Sequence, residues 1–280
     1  MPARSTWLWL VEAALEEDLG PGDATSLAVL PEGLAGSARV EARSPVVLAG
    51  LGVARQVFER TGSDFEARAD DGDRVDASTV LATVRGEALA ILSGERTALN
   101  FLQRLSGVAT LTHEYCEAVR GTRAEIIDTR KTTPGWRQLE KYAVRCGGGG
   151  NHRMGLFDGI LIKDNHIAAV GGVSDAVKLA RSRGARGLKI RVEVESIDAA
   201  REAIDAGADA LLVDNQTPAT IAEIVALAAG RLRVEASGGV TLETVAEIAR
   251  TGVDEISVGA LTHSAPAADI ALEWNPISST

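Results

Sequence analysis

Two cysteines, Cys116 and Cys146, are too few for a disulfide framework and stand in no metal-ligand spacing. No apolar stretch approaches the roughly 20 residues needed to span a bilayer. The opening MPARSTWLWLVEAALEED turns acidic where a signal peptide would place its cleavage site, so a cytoplasmic protein without membrane contact is expected. Basic residues are in deficit, 29 Lys and Arg against 39 Asp and Glu for a formal charge of −10. That balance argues against nucleic acid or an anionic membrane as partner, because phosphate binding needs a basic face. What is present is a globular composition, 45% hydrophobic over 280 residues, enough for one large domain or two ordinary ones.

The mean charge conceals a local reversal. From Thr129 to Lys163, seven basic side chains stand against Glu140 and Asp158, so this segment carries +5 and the rest of the chain −15. A cluster of cations is usually a solvated face. Here it is interleaved with four glycines, with His152 and with the apolar GILIKDN, which fits a compact pocket for a small polyanion better than a groove.

Two patterns divide the chain. In the first hundred or so residues, Ser5–Asp18 has helical spacing with Ser5 or Thr6 as N-cap, and the turn-rich EDLGPGDATS follows. GSARVEARSPVVLAG and DRVDASTVLATVRG read as antiparallel strands, with a helix over LGVARQVFERTG between them. Glu95–Val119 is a long periodic stretch, either one helix or two broken near Ser106-Gly107. ADDGDRVDASTVLATVRG resembles the turn-and-strand pattern of biotin- or lipoyl-carrier modules. Those display a lysine on a hairpin, and none occurs between Met1 and Arg130, so the segment is taken as structural.

After residue 120, AEIIDTR, GILIKDN, KIRVEVES, ADALLVDN, LRVEASGG and DEISVGA read as short strands separated by helices such as SIDAAREAIDAG and TPATIAEIVALAAG. DAGADALLVDN and RTGVDEISVGA echo each other two units apart. Apolar strands with crossover helices imply a parallel sheet, either a (β/α) barrel with up to eight strands or a doubly wound open sheet. In a barrel the strand C-terminal ends face the active site. Those ends carry Asp128, Arg130 and Lys131; Lys163 and Asp164; Glu193 and Glu195; Asp214 and Asn215; Ser237-Gly238-Gly239; and Gly259-Ala260.

SGG before VTLETVAEIAR joins free backbone N–H groups to a helix N-terminus, an anion site by geometry and dipole, with SVGALTHS as a second small-residue turn. Glu193 and Asp214 suit Mg²⁺, which takes one or two carboxylates with substrate phosphates, although an ion-pair network would use the same residues. Glu195 has the right chemistry too, and alternation leaves it on the same side as Glu193. His152, beside Arg153 and after a glycine run, is expected to donate to an anion. His166 is ambiguous, and His113 and His263 are read as structural. Cys146 has no His-Asp arrangement to make it a nucleophile. The run in KYAVRCGGGGNHR is expected to form a bend that delivers His152 and Arg153 to the pocket and keeps side-chain bulk from the ligand.

DTRKTTPGWRQLEKYAVRCGGGGNHRMGLFDGILIKDNHI, with EDLGPGDATS, GERTALNFLQRLSG, VEVES, LLVDN, EASGGV and SVGALTHS in the same order, resembles the quinolinate phosphoribosyltransferases over about residues 8–273. The resemblance implies an α/β chain: an N-terminal α/β sandwich (1–110) plus an incomplete (β/α) barrel of the type II phosphoribosyltransferase kind (111–280), whose C-terminal segment is a candidate to return to the first domain. It implies that quinolinate and phosphoribosyl pyrophosphate give nicotinate mononucleotide, pyrophosphate and CO₂ in NAD biosynthesis, with Mg²⁺, in a homodimer. Carried over by motif, Arg130, Lys131, His152, Arg153 and Lys163 hold quinolinate, and Arg96 enters from the other subunit. Glu193 and Asp214 take the Mg²⁺-pyrophosphate and ribose end. Ser237, Gly238, Gly239 and Gly259 hold the 5′-phosphate, and Lys131 and Lys163 are the candidates to stabilise charge during decarboxylation.

The residues themselves agree with that division, because a dicarboxylate needs at least two cationic clamps, for which a planar guanidinium suits a carboxylate. LLVDN offers one acid where the commoner phosphoribosyltransferase fold has paired acids, which argues against that other fold. Three alternatives stay open: a related transferase acting on nicotinate or a molybdenum-associated acid, a barrel lyase using Lys163 or Lys131 as a Schiff base, and a non-catalytic phosphate-binding barrel.

Overall fold

The computed structural model describes residues 1–184 and 187–275, in two compact units. The first takes Met1–His113, Thr132–Gly148 and the chain from Leu261; the second takes Glu114–Lys131 and Gly149–Ala260.

In the first unit, strands β1 (Ala35–Ala42), β3 (Asp64–Ala67), β5 (Val80–Glu87) and β12 (Ile270–Trp274) form an antiparallel sheet in the order β12-β1-β5-β3. β2 (Val46–Val47) and β4 (Arg74–Val75) make a separate ribbon. The helix Leu51–Thr61 begins after Gly50 and ends at the left-handed Gly62; it buries Val53, Val57 and Phe58, and Phe58 stacks on Phe65 at 5.8 Å. Each such side chain contributes about 1.5–3 kcal/mol by leaving water.

Two expectations need correction here, the first N-cap and the placing of Thr132–Gly148, and one open alternative closes. The first α-helix runs Leu8–Leu19 with Trp7 as N-cap; Ser5 and Thr6 lie in a preceding 3₁₀ turn, where the Thr6 hydroxyl donates to Ala3 O, and so stand ahead of the cap position. Ala88–Ala118 is one unbroken helix. Its Ser106 hydroxyl donates to Ala49 O and accepts from Ala49 N, and a Cβ on Gly107 would overlap Pro266 O, so Ser106-Gly107 marks close packing and no break. The short acidic strand β3 escaped the sequence reading. Thr132–Gly148, expected with the barrel, belongs to the first unit: its helix Arg137–Cys146 buries Glu140, which accepts from Arg104 Nη2, Thr133 N and the Thr133 hydroxyl, each at 2.9 Å. A buried carboxylate needs that many donors to offset its desolvation.

The second unit holds six parallel strands: β6 (Glu125–Ile127), β7 (Ile160–Ile162), β8 (Ile190–Val194), β9 (Ala210–Asp214), β10 (Arg233–Ser237) and β11 (Glu255–Ser257). Their order is β6-β11-β10-β9-β8-β7. From β7 to β11 every crossover steps in one direction, and β6 sits beside the last strand. A doubly wound sheet would reverse at a switch point, so this is the incomplete barrel. Connecting helices are well started: Ser196 caps Ile197–Asp205, and Thr217 caps Pro218–Ala228 with proline in the first turn.

Strand alternation sorts the second unit. In β8, Ile190, Val192 and Val194 are buried, while Arg191 and Glu193 take the opposite face. Register aligns Glu193 with Leu212, Leu212 with Glu235, Glu235 with Glu255 and Glu255 with Glu125. Barrel interiors are usually filled by branched aliphatic side chains; this row is acidic. Arg191 balances it, pairing with Glu235 and, at 2.7 Å, with Glu255, while Arg233 pairs with Glu255 and Glu125.

Candidate active site

Asp128, immediately after β6, is fully buried. Its Oδ1 accepts the backbone N–H of His152 at 2.9 Å and its Oδ2 accepts Asn151 Nδ2 at 2.6 Å. One carboxylate thus ties the Asn151–Arg153 segment to the strand end that also carries Thr129, Arg130 and Lys131. Asp158 folds the following turn by accepting from Met154 N and Gly155 N. Arg153 Nη1 donates to Gly159 O at 3.0 Å, and its buried Nε has no protein partner. Burial, and then the neighbouring Arg130, lowers the Arg153 guanidinium from its ordinary value. An incoming carboxylate would relieve both effects.

On the next strands, Lys163 Nζ donates to Glu193 Oε2 at 2.5 Å. Asp214 closes β9 and accepts from Asn215 Nδ2 at 2.7 Å. Asn215 is left-handed (φ 51°) and donates its backbone N–H to Ser237 O at 2.9 Å. Gly238 must be glycine: its φ is 92°, and a Cβ there would overlap the Asn215 side chain. The turn leads into the helix Leu242–Arg250, capped by Thr241.

These ends converge on one cavity of about 520 Å³. Arg130, Lys131, Arg153 and Lys163 bring four cations to it, and Glu193, Asp214 and Glu235 bring three carboxylates. Ser237, Gly238 and Gly239 line it, as do His152 and the apolar Leu161 and Leu212. A hollow of similar volume in the first unit, about 540 Å³ beside Glu12, Glu16, Arg60 and Leu19, lacks any such convergence.

Some expected residues lie elsewhere. Gly259 is not on the lining; Ser257, one turn earlier at the end of β11, is. Glu195 is exposed, and of the two acids only Glu193 reaches the cavity, because the strand stops at Val194. Arg96, expected to act in the cavity of a second copy, is exposed on the helix Ala88–Ala118. None of the four glycines lines the cavity of this chain. A Cβ on Gly147 would overlap Ala109 O, and Gly150 bridges Ile127 on β6, so the run serves protein packing and not clearance for a ligand. His166 Nδ1 accepts Lys163 N–H at 3.0 Å, a helix-start contact. Burial raises the Cys146 thiol. Lys131 is exposed and Lys163 is ion-paired, so neither has the apolar surround of a Schiff-base lysine.

Sequence reasoning missed Glu235, which lies mid-strand. Its signal was available: it precedes Ser237 by two residues, and period-two alternation puts both on one face.

The sequence matches the model of the quinolinate phosphoribosyl transferase N-terminal domain over residues 23–106 and that of the C-terminal domain over residues 108–273. It is 45% identical over 259 residues to a Bacillus subtilis protein named "Probable nicotinate-nucleotide pyrophosphorylase (carboxylating)", covering 92% of this chain and 89% of that one. It is 43% identical over 272 residues to the nicotinate-nucleotide pyrophosphorylase (carboxylating) of Mycobacterium leprae, covering 94% and 95%. The solved nicotinate-nucleotide pyrophosphorylase from Francisella tularensis superposes with a TM-score of 0.95 at 37% identity over 98% of each chain. With both family models matched in order along most of its length and a cavity built of paired cationic and acidic ends, this chain belongs to the quinolinate phosphoribosyl transferase family.

Proposed function

We propose that this chain transfers the phosphoribosyl group of phosphoribosyl pyrophosphate to quinolinate with loss of CO₂, forming nicotinate mononucleotide and pyrophosphate, a step of NAD biosynthesis. The observation that carries the reading is the make-up of the cavity: the four cations Arg130, Lys131, Arg153 and Lys163 line it together with Glu193, Asp214 and the Ser237-Gly238-Gly239 turn.

Arg130 and Arg153 clamp the two ring carboxylates, and the unpartnered Nε of Arg153 has a donor to spare for one of them. Lys131 and Lys163 add point charges at the same end. Held there, the ring nitrogen is oriented to attack the anomeric carbon as pyrophosphate departs; the C2–carboxylate bond then breaks, and C2 keeps the electron pair until it takes a proton. The two lysines stabilise that pair electrostatically. The Ser237-Gly238-Gly239 turn and the start of the helix Leu242–Arg250 receive the 5′-phosphate. Glu193 and Asp214 fit Mg²⁺ by donor type. Among the described residues no group of three or more His, Cys, Asp or Glu side chains is placed to hold a metal alone, so substrate oxygens complete that site. Bound there, the ion supplies charge stabilisation for the leaving pyrophosphate.

The same reading includes a homodimer to which Arg96 of a second copy contributes, supported by the exposure of Arg96 on its helix. It includes a cytoplasmic location; no helix of the described residues is long and apolar enough to cross a membrane. The test is incubation with quinolinate, phosphoribosyl pyrophosphate and Mg²⁺, measuring nicotinate mononucleotide and CO₂. Absence of product, or equal turnover of nicotinate, overturns the proposal.

A further inference from the structure

His152 is held at three atoms. Its backbone N–H is taken by Asp128, its ring Nδ1 accepts the backbone N–H of Arg153 at 2.7 Å, and its Nε2 lies 3.5 Å from Glu235 Oε2. An Nδ1 that accepts carries no proton, so the neutral ring carries its proton on Nε2, the nitrogen that faces Glu235.

Glu235 is 1% exposed, yet only one of its oxygens is engaged: Oε2 takes Arg191 Nη1 and faces His152, while Oε1 has no protein partner. A half-bonded carboxylate in a barrel interior costs stability that an aliphatic residue would not. The presence of an acid at this row of the sheet is therefore better explained by what it holds than by folding.

We propose that Glu235, anchored by Arg191, is a positioning residue that fixes His152 as the Nε2–H tautomer, so that His152 serves the acceptor end as a rigid wall carrying Arg153 and donates to Glu235, not to the ligand. This deepens the reading above and rests on it for its kinetic consequence; the tautomer itself does not depend on that reading. Nδ1 is taken by the Arg153 N–H and Nε2 faces Glu235, and the neighbouring Arg153 guanidinium, whose Nε is unpartnered, is left to meet the carboxylate.

The test pairs nitrogen-15 NMR of selectively labelled histidine with kinetics of Glu235→Gln and Glu235→Ala, each checked for an unchanged fold by circular dichroism. Wild type is expected to show, for His152, an acceptor-type Nδ1 together with a slowly exchanging Nε2 proton, a signal assigned by its absence from His152→Gln. That proton is expected to persist in Glu235→Gln, whose amide oxygen can accept it, and to be lost in Glu235→Ala. Glu235→Ala is expected to lower kcat/KM for quinolinate at least about tenfold with KM for phosphoribosyl pyrophosphate within about twofold, and Glu235→Gln to recover most of the loss. A protected Nε2 proton that survives Glu235→Ala, its absence from wild type, or an equal loss toward both substrates overturns the assignment. If wild type makes no product from quinolinate, the functional reading fails while the NMR result still decides the tautomer.

Discussion

Lys163 and Glu193, contributed by neighbouring parallel strands, share a 2.5 Å hydrogen bond between Nζ and Oε2. The lysine side chain stays 45% exposed and the carboxylate 12%, so a ligand can compete for the lysine without unburying the acid. Lys163→Ala and Glu193→Gln are each expected to lower kcat by about 10²–10³. The double variant is expected to be less impaired than the two losses combined, with a coupling of about 0.5–3 kcal/mol in a double-mutant cycle. Strict additivity in steady-state kinetics would show that the two act independently.

Arg153 and Asp214 both line the cavity, one a cation and the other a carboxylate. Arg153→Ala is expected to raise KM for quinolinate by about tenfold or more, because a charge-assisted bidentate partner is lost. Arg153→Lys should not restore it. Asp214→Ala is expected to act on KM for phosphoribosyl pyrophosphate instead. The reverse pattern would refute the assignment of the two ends.

Gly147 packs where a Cβ would overlap Ala109 O and crowd Thr112 Cβ at 2.7 Å, whereas Gly171 is left-handed with nothing within 4 Å. Gly147→Ala is expected to cost about 1–3 kcal/mol by overpacking, and Gly171→Ala about 1–2 kcal/mol from its backbone alone. Urea denaturation measures both. Were the glycine run a clearance for the ligand, Gly147→Ala would raise KM and leave the unfolding midpoint in place.

Burial, and next the Glu117 carboxylate, pushes the Cys116 thiol up to about 11. Cys116 and Cys146 are therefore expected to alkylate slowly at pH 8 in the native protein and fast once unfolded, with activity retained after native-state treatment. The sign for stability follows. The folded thiol stays neutral where the unfolded one ionises, so this contribution is complete below the ordinary value of 9.0 and declines as pH rises toward 11. Prompt inactivation by iodoacetamide at pH 8 would contradict this.

All six parallel strands were legible because each is a short apolar run closed by a polar end, and the cations were legible because they follow those ends. What stayed hidden depended on partners distant in sequence. Whether the helix breaks at Ser106-Gly107 stayed open until Ala49 and Pro266 showed what packs against those two residues. Glu235 acquires its place only once register sets it beside Leu212 and Glu255. Glu193 and Glu195 share a side by alternation, and only the end of β8 at Val194 separates them. Trp7 takes the cap position because Ser5 and Thr6 are already held in a 3₁₀ turn ahead of the helix.

The chain passes between its two units four times, and β12, the strand that covers the edge of β1, follows every other described strand. During vectorial synthesis β1 therefore waits with one row of backbone groups unpaired, from Ala38 to Ala42, until Ile270–Trp274 emerges. An open edge of that kind is a template for intermolecular pairing. Premature termination anywhere before Ile270 leaves a nascent product prone to aggregation, even when every residue of the reactive cavity has already been translated.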